Sequence, residues 1–197
     1  ASDVYKRQIL HLDGDKKYGQ KSQKYYQKMG LTAVVKNIPE YMQPRQVYRM
    51  LAYYKPDILV ITGHDGLVKK DRNYDDIYNY RNSRYFVQTV QEARRYERDF
   101  GANIAIFAGA CQSYFEALIM AGANFASSPA RILIDMLDPI IVAKKIATSE
   151  ETKYITIDDI EQELRDGKRG VGGIGSSGMK KSCLLYTSPS PRDRQKS

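Results

Sequence analysis

Short apolar runs alternate along this chain with longer amphipathic segments. The apolar runs are typical of buried parallel strands and lie at 9–13, 31–38, 57–62, 103–108 and 123–127. Segments with apolar residues at helical spacing predict helices at 16–29, 44–54, 82–100, 114–121, 131–146 and 157–164. Strands that alternate with helices in this way indicate an α/β fold, an open and mostly parallel sheet with helices on both faces.

Three segments interrupt this alternation. Pro139 is predicted to break or kink the helix at 131–146, because a proline ring excludes the hydrogen bond of a helix interior. Residues 67–80 are polar and rich in Tyr and Asp, which predicts a loop. The glycine-rich residues 170–178 are also predicted to form a flexible loop. They have neither the preceding strand nor the Gly-Lys-Ser/Thr sequence of a phosphate-binding loop.

The two ends of the chain resemble translated adapter sequence rather than native protein. We therefore expect one domain at 9–182, with 1–8 and 183–197 as non-native segments. The chain carries a net charge of +8, and about +5 remains without those segments. This mildly basic balance does not favour a nucleic-acid partner, and no apolar run is long enough to predict a membrane span. Two cysteines do not make a disulfide framework.

Two residues with catalytic chemistry each follow a predicted strand. His64 comes after the run at 57–62, and Cys111 comes after the run at 103–108. Because parallel strands end at one edge of the sheet, we expect the two side chains to meet there. A thiol needs a base to become a nucleophilic thiolate, and histidine is the usual base. This pair predicts a His-Cys dyad.

The order of the two residues along the chain narrows the class of enzyme. No histidine follows Cys111, which argues against papain-like enzymes and glutamine amidotransferases, and a Gly-X-Ser-X-Gly elbow is absent from the sequence. The His and Cys residues do not have metal-ligand spacing, so we expect no metal or organic cofactor. His11, within an apolar strand, is predicted to be a packing residue, and Cys183 belongs to the discounted tail.

A histidine followed about 50 residues later by a cysteine resembles the arrangement of caspase-like peptidases, which implies a three-layer sandwich. Five longer stretches resemble the YabG sporulation peptidase family: residues 9–15, 57–66, 80–86, 107–114 and 121–129. This resemblance covers about residues 9–180. It implies a cysteine peptidase that cuts spore coat and related proteins after basic residues, in the mother-cell cytoplasm and at the spore coat of Firmicutes. It also implies that an N-terminal β-rich domain is missing.

The resemblance further implies roles for individual residues. Cys111 would be the nucleophile and His64 the general acid–base. The backbone N–H groups of Cys111 and Gly66 would bind the oxyanion. In this sequence Asp65 stands between His64 and Gly66, whereas the caspase-like pattern has His-Gly.

A pocket for Arg or Lys needs a carboxylate, because a desolvated guanidinium requires a charged partner. Asp13 and Asp15 are the first candidates, since they lie where the first strand ends. The alternative is a polar turn in which Asp15 caps the next helix. Asp65 is a third candidate. Asp135 and Asp138 are weaker ones.

Two other functions remain open from the sequence. The chain could be a non-catalytic module for spore coat assembly on the same fold. It could instead be a small-molecule hydrolase or thiol acyltransferase that uses the same dyad. Cleavage of a protein substrate that depends on Cys111 would distinguish a peptidase from both.

Overall fold

The structure is a computed structural model that describes residues 8–69 and 73–180. The strands are β1 Gln8–Asp13, β2 Thr32–Asn37, β3 Ile58–Thr62, β4 Ala105–Ala108, β5 Phe125–Ala126, β6 Tyr154–Ile155, β7 Gly172–Gly173 and β8 Ser176–Ser177. The helices are α1 Lys16–Lys28, α2 Gln43–Tyr54, α3 Ser83–Phe100, α4 Phe115–Ala121 and α5 Leu137–Thr148. No helix in these ranges is both long enough and apolar enough to cross a bilayer.

One sheet organises the domain. Its strand order is β2-β1-β3-β4-β5-β7, and β6 pairs with β8 in a separate two-stranded sheet. The strands β1 to β5 pair in parallel, and β7 joins the edge antiparallel to β5. The mostly parallel α/β sheet predicted from the sequence is therefore confirmed.

The sheet has a separate hydrophobic core on each face. Successive residues of a strand point to opposite faces, so Leu10 and Leu12 of β1 enter one core and Ile9 enters the other. The first core contains the apolar faces of α2, α3 and α4. The second contains Tyr26 of α1 and the buried side of α5. The protein is thus a three-layer sandwich, as predicted.

Strand register brings the ends of three strands to the same edge. Asp13 of β1 pairs with Thr62 of β3, and Ile61 of β3 pairs with Ala108 of β4. The segments that follow these strands contain Asp15, His64 and Cys111 in turn. In an open parallel sheet this carboxyl edge is where ligands bind.

The prediction of a helix from 131 to 146 was wrong at its start. The helix α5 begins at Leu137, and residues 131–136 form no helix. Pro139 does not break it, because this proline lies in the first helical turn, where its missing N–H has no helical acceptor. Residues 131–136 instead lie beside the Cys111 turn, where the Gln112 N–H donates to Ile132 O.

Two other local predictions were also wrong. Residues 157–164 form two short 3-10 turns, Ile157–Asp159 and Glu161–Glu163, rather than one helix. The glycine-rich segment is not a loop throughout, because it supplies β7 and β8. Gly173 lies against the Asn124 carbonyl, so any side chain would collide with that backbone. Of the segments 1–8 and 183–197 that were predicted to be non-native, residues 1–7 and 183–197 lie outside the described residues, whereas Gln8 begins β1.

Candidate active site

A cavity of about 320 Å³ opens at the carboxyl edge of the sheet. His64 and Cys111 both line it, as the matched ends of their strands predicted. Its floor comes from the ends of β1 and β3, and its walls come from the first turns of α1, the start of α5 and Arg165. The cavity therefore combines a thiol and an imidazole with a partly polar recess.

Cys111 lies in a turn directly after β4. The turn is fixed by Ser113, whose Oγ accepts from the Ala110 N–H at 2.8 Å. Gly109 has a φ of +116°, and a side chain there would strike Ser127, so only glycine fits without strain. The Cys111 sulfur is partly buried and accepts from the Ile134 N–H at 3.4 Å. The thiol also donates to Ile134 O at 3.8 Å, so the Ile134 backbone holds the sulfur at the cavity.

His64 is held by hydrogen bonds to both its backbone and its ring. Its N–H donates to Glu40 Oε1 at 2.9 Å, and its carbonyl accepts from Asn82 Nδ2 at 2.7 Å. The ring Nε2 lies 2.6 Å from Asp15 Oδ2. The side chain is 54% exposed, so an external substrate can reach the imidazole.

Asp15 connects β1 to α1 and caps that helix. Its Oδ1 accepts from the Tyr18 N–H at 2.8 Å, which confirms the alternative prediction of a helix cap. The Tyr18 N–H and the contact with His64 together lower the pKa of Asp15. Asp15 is therefore an ionised partner of His64 and is not among the residues that line the recess.

A buried polar chain runs from Tyr26, beneath the cavity, to His11, Thr62 and Asp13 on its floor. The Tyr26 hydroxyl lies 2.9 Å from His11 Nδ1, and His11 Nε2 lies 2.7 Å from Thr62 Oγ1. Burial lowers the pKa of His11 to about 3, so this ring is neutral. Asp13 is 5% exposed, and burial raises its pKa to about 6. His11 is a packing residue as predicted, although it also faces the cavity.

Asp65 is engaged on both carboxylate oxygens. Its Oδ2 accepts from the hydroxyls of Ser83 and Ser113, at 2.5 and 2.7 Å. Its Oδ1 accepts from the N–H groups of Asn82 and Gly66. Desolvation nonetheless raises the pKa of Asp65, and the residue does not line the cavity. It joins the His64 loop to the Cys111 turn.

The two weaker carboxylate candidates differ in position. Asp135 lines the cavity, whereas Asp138 is buried outside its lining. Burial raises the pKa of Asp138, whose Oδ1 accepts from the Arg165 N–H. The Arg165 side chain also borders the cavity, but its guanidinium is bonded to Asp166 and to Leu133 O. Asp13 and Asp135 are thus the candidate carboxylates that face the recess.

Sequence reasoning missed two contributors to the site. Glu40, 24 residues before His64 in the sequence, accepts a hydrogen bond from the His64 backbone. Gly63 leaves space for the Glu40 side chain, because a Cβ on residue 63 would lie 2.6 Å from Glu40 Oε1. Ile134 donates to the Cys111 sulfur from a segment predicted to be helical. Gly63 was the one feature of the sequence that could have indicated the close approach of another side chain to the backbone before His64.

Within residues 8–69 and 73–180, no cluster of three or more His, Cys, Asp or Glu side chains is suited to a metal ion. A sequence model of the family described as YabG peptidase U57 matches residues 3–184. The chain is 41% identical over 180 residues to the sporulation-specific protease YabG of Bacillus subtilis (strain 168). This alignment covers 91% of the chain and 62% of the relative, so the chain spans less than two thirds of that protein's length.

Proposed function

The chain belongs to the YabG peptidase U57 family, and on that premise we propose that it is a cysteine endopeptidase that cleaves proteins after basic residues. The observation that carries this proposal is the lining of one cavity by both His64 and Cys111. They lie at the carboxyl ends of two adjacent parallel strands. A thiol and an imidazole at one solvent-open recess are the groups that nucleophilic acyl transfer requires.

In the proposed reaction, the Cys111 sulfur attacks the carbonyl carbon of the scissile peptide bond while His64 takes the thiol proton. The C–N bond then breaks, and His64 returns the proton to the departing amine, which leaves a thioester on Cys111. A water molecule next loses a proton to His64 and attacks the thioester. The new carboxylic acid departs, and the thiol is restored. These steps need no cofactor.

The oxyanion of each tetrahedral intermediate requires hydrogen-bond donors. We assign this role to the backbone N–H groups of Cys111 and Gly66. The Gly66 N–H donates to Asp65 Oδ1 at 2.9 Å in the resting structure, so its use requires an exchange of that bond for one to the oxyanion. Loss of one such donor typically costs about 10²–10³ in kcat.

Specificity for Arg or Lys would come from the acidic recess beside the dyad. Asp13 on the floor and Asp135 on the wall supply two carboxylates to it. Asp15 and Asp65, the other candidates from the sequence, are engaged by His64 and by Ser83 and Ser113. Asp13 is the stronger choice, because its buried carboxylate would gain most from a bound cation.

The family and its Bacillus relative, a sporulation-specific protease, support a place for this activity in sporulation. We propose spore coat and related proteins as substrates, encountered in the mother-cell cytoplasm and at the forming coat. The non-catalytic coat module remains the alternative function. In such a module, His64 and Cys111 would have structural roles only.

Digestion of a basic coat protein tests the proposal. Wild-type protein is expected to generate new C-termini that end in Arg or Lys, identified by mass spectrometry. Cys111→Ala and His64→Ala should each abolish these products, with little change in stability, since both residues lie outside the two cores. Retention of more than about a hundredth of the wild-type rate by Cys111→Ala would exclude the dyad, because loss of a nucleophile typically costs far more.

A further inference from the structure

Asp15 lies opposite His64 because of the register of the sheet. Asp13 and Thr62 are paired neighbours in adjacent parallel strands, and each chain continues for two more residues to reach Asp15 and His64. The Gly14 N–H donates to Thr62 O at 3.1 Å and extends the pairing past the strand ends. The contact between the carboxylate and the imidazole therefore follows from the pairing of the adjacent strands β1 and β3.

The contact engages one particular nitrogen of the imidazole ring. Asp15 Oδ2 lies 2.6 Å from His64 Nε2. A carboxylate accepts hydrogen bonds and does not donate them, so Nε2 carries the hydrogen in this arrangement. In the neutral ring the free lone pair is then on Nδ1, since only one nitrogen is protonated.

We propose that Asp15 is a positioning residue that holds His64 with Nε2 protonated, so that Nδ1 receives the proton of the Cys111 thiol. This inference rests on the proposed peptidase function. The transferred proton makes an imidazolium whose positive charge lies beside the Asp15 carboxylate. When Nδ1 returns the proton to the leaving amine, the ring becomes neutral again, and Asp15 keeps its charge throughout.

The surrounding contacts support a fixed ring orientation. The backbone of His64 is bonded on both sides, to Glu40 and to Asn82. Tyr18 contacts the ring edge-on, with the centroids 6.1 Å apart. Asp15 itself is anchored, because its other oxygen accepts from the Tyr18 N–H. The carboxylate is thus held in place before any substrate binds.

Capping of α1 is a second role of Asp15, and suitable variants separate it from positioning. Asp15→Ser preserves a good helix cap but is too short to reach His64. Asp15→Asn also preserves the cap, but it can turn its amide N–H₂ toward Nε2. That donor would favour a lone pair on Nε2 and a hydrogen on Nδ1, the tautomer that cannot accept the thiol proton. Both variants are therefore expected to fold.

The tautomer can be observed directly by two-dimensional ¹H–¹⁵N NMR of the ring nitrogens in the full chain, at a pH where the rings are neutral. The chain has two histidines, so buried His11 supplies an internal reference. We expect Nε2–H for wild-type His64 and Nδ1–H in Asp15→Asn, with His11 unchanged. If Asp15 only capped α1, the Asp15→Asn substitution would not change the tautomer of His64.

Peptide hydrolysis by the same proteins supplies the second readout. Asp15→Asn is expected to lower kcat by about 10²-fold or more at nearly unchanged KM, since a wrong tautomer in a Ser-His-Asp triad costs about 10⁴. Asp15→Ser should lose less activity, because the His64 ring in this variant can adopt either tautomer. An unchanged tautomer in Asp15→Asn, or a kcat within threefold of wild type, would overturn the proposal. If Asp15→Asn switched the tautomer but the wild-type protein hydrolysed no peptide, the proposed function would be overturned. The positioning of His64 by Asp15 would still stand.

Discussion

Replacing Asp13 with asparagine is expected to stabilise the protein at neutral pH while weakening its selectivity for basic peptides. Asp13 is 5% exposed, and burial raises its pKa from 3.8 to about 6. Asparagine has nearly the same shape, and its Oδ1 can still accept from the Asp15 N–H, as Asp13 Oδ1 does at 2.8 Å. The Thr62 hydroxyl, which donates to the Asp13 carboxylate, can instead accept from the new amide, so the main change is the removal of a buried charge.

The sign of the effect follows from proton linkage. The folded state holds the Asp13 proton more tightly than the unfolded state does, so the free energy of unfolding falls as pH rises from about 4 to about 6. At about 1.4 kcal/mol per pH unit, this interval corresponds to a loss of about 3 kcal/mol. Asp13→Asn should recover up to that amount at neutral pH and almost none below pH 4.

The functional effect should have the opposite sign. If the Asp13 carboxylate binds a basic substrate side chain, its removal should reduce kcat/KM on an Arg peptide by about 10–100-fold, or roughly 1.5–3 kcal/mol. A matched Gln peptide should lose little. The wild-type preference for Arg should also decline as pH falls through about 6, where Asp13 becomes protonated.

Urea denaturation at neutral and acid pH, beside kinetics on the two peptides, tests both effects. Asp138→Asn is the matched control, because Asp138 is a buried carboxylate with a raised pKa that lies outside the cavity lining. It should affect stability in the same direction without altering the Arg/Gln ratio. No gain in stability at neutral pH would refute the buried charge at Asp13. Equal losses on both peptides would remove Asp13 from the specificity pocket.

Two further substitutions test the contacts that position the His64 loop and the Cys111 turn, and one truncation tests the C-terminal segment. Gly63→Ala should displace Glu40 and lower kcat at least tenfold through the His64 loop, while Tm changes by only a few degrees; wild-type kcat would contradict this. Asp65→Ala should destabilise the fold by about 2–4 kcal/mol in urea denaturation, because four donors lose their acceptor; a change below about 1 kcal/mol would contradict this. Deletion of 183–197 should leave Tm unchanged in calorimetry, and a large decrease would show that this segment packs.

The sequence predicted the parallel sheet well because its strands are short, continuous apolar runs. Residues 57–62 and 103–108 can be buried only between two layers of helices, and that requirement determines the class of fold. Prediction failed where short segments depend on tertiary partners. The strand at Gly172–Gly173 pairs with β5 although glycine has a low strand propensity. Its pairing depends on close backbone approach, which leaves no hydrophobic pattern.

The site was predictable only in part, for a related reason. Position after a strand was enough to bring His64 and Cys111 to one edge. The roles of the aspartates depend on side-chain direction and on partners distant in sequence. Asp15 turns to His64, whereas Asp65 meets Ser83 and Ser113. Such pairings depend on loop geometry, which residue type alone does not encode.

The most direct test of the proposed function is covalent trapping of the nucleophile. The full chain would be treated with a peptidyl acyloxymethyl ketone that ends in arginine, and the adduct would be mapped by peptide mass spectrometry. We predict one adduct, on Cys111, that forms much more slowly with His64→Ala and more slowly with a glutamine-ended reagent. Labelling elsewhere, or equal rates for wild type and His64→Ala, would contradict a His64-activated Cys111 nucleophile.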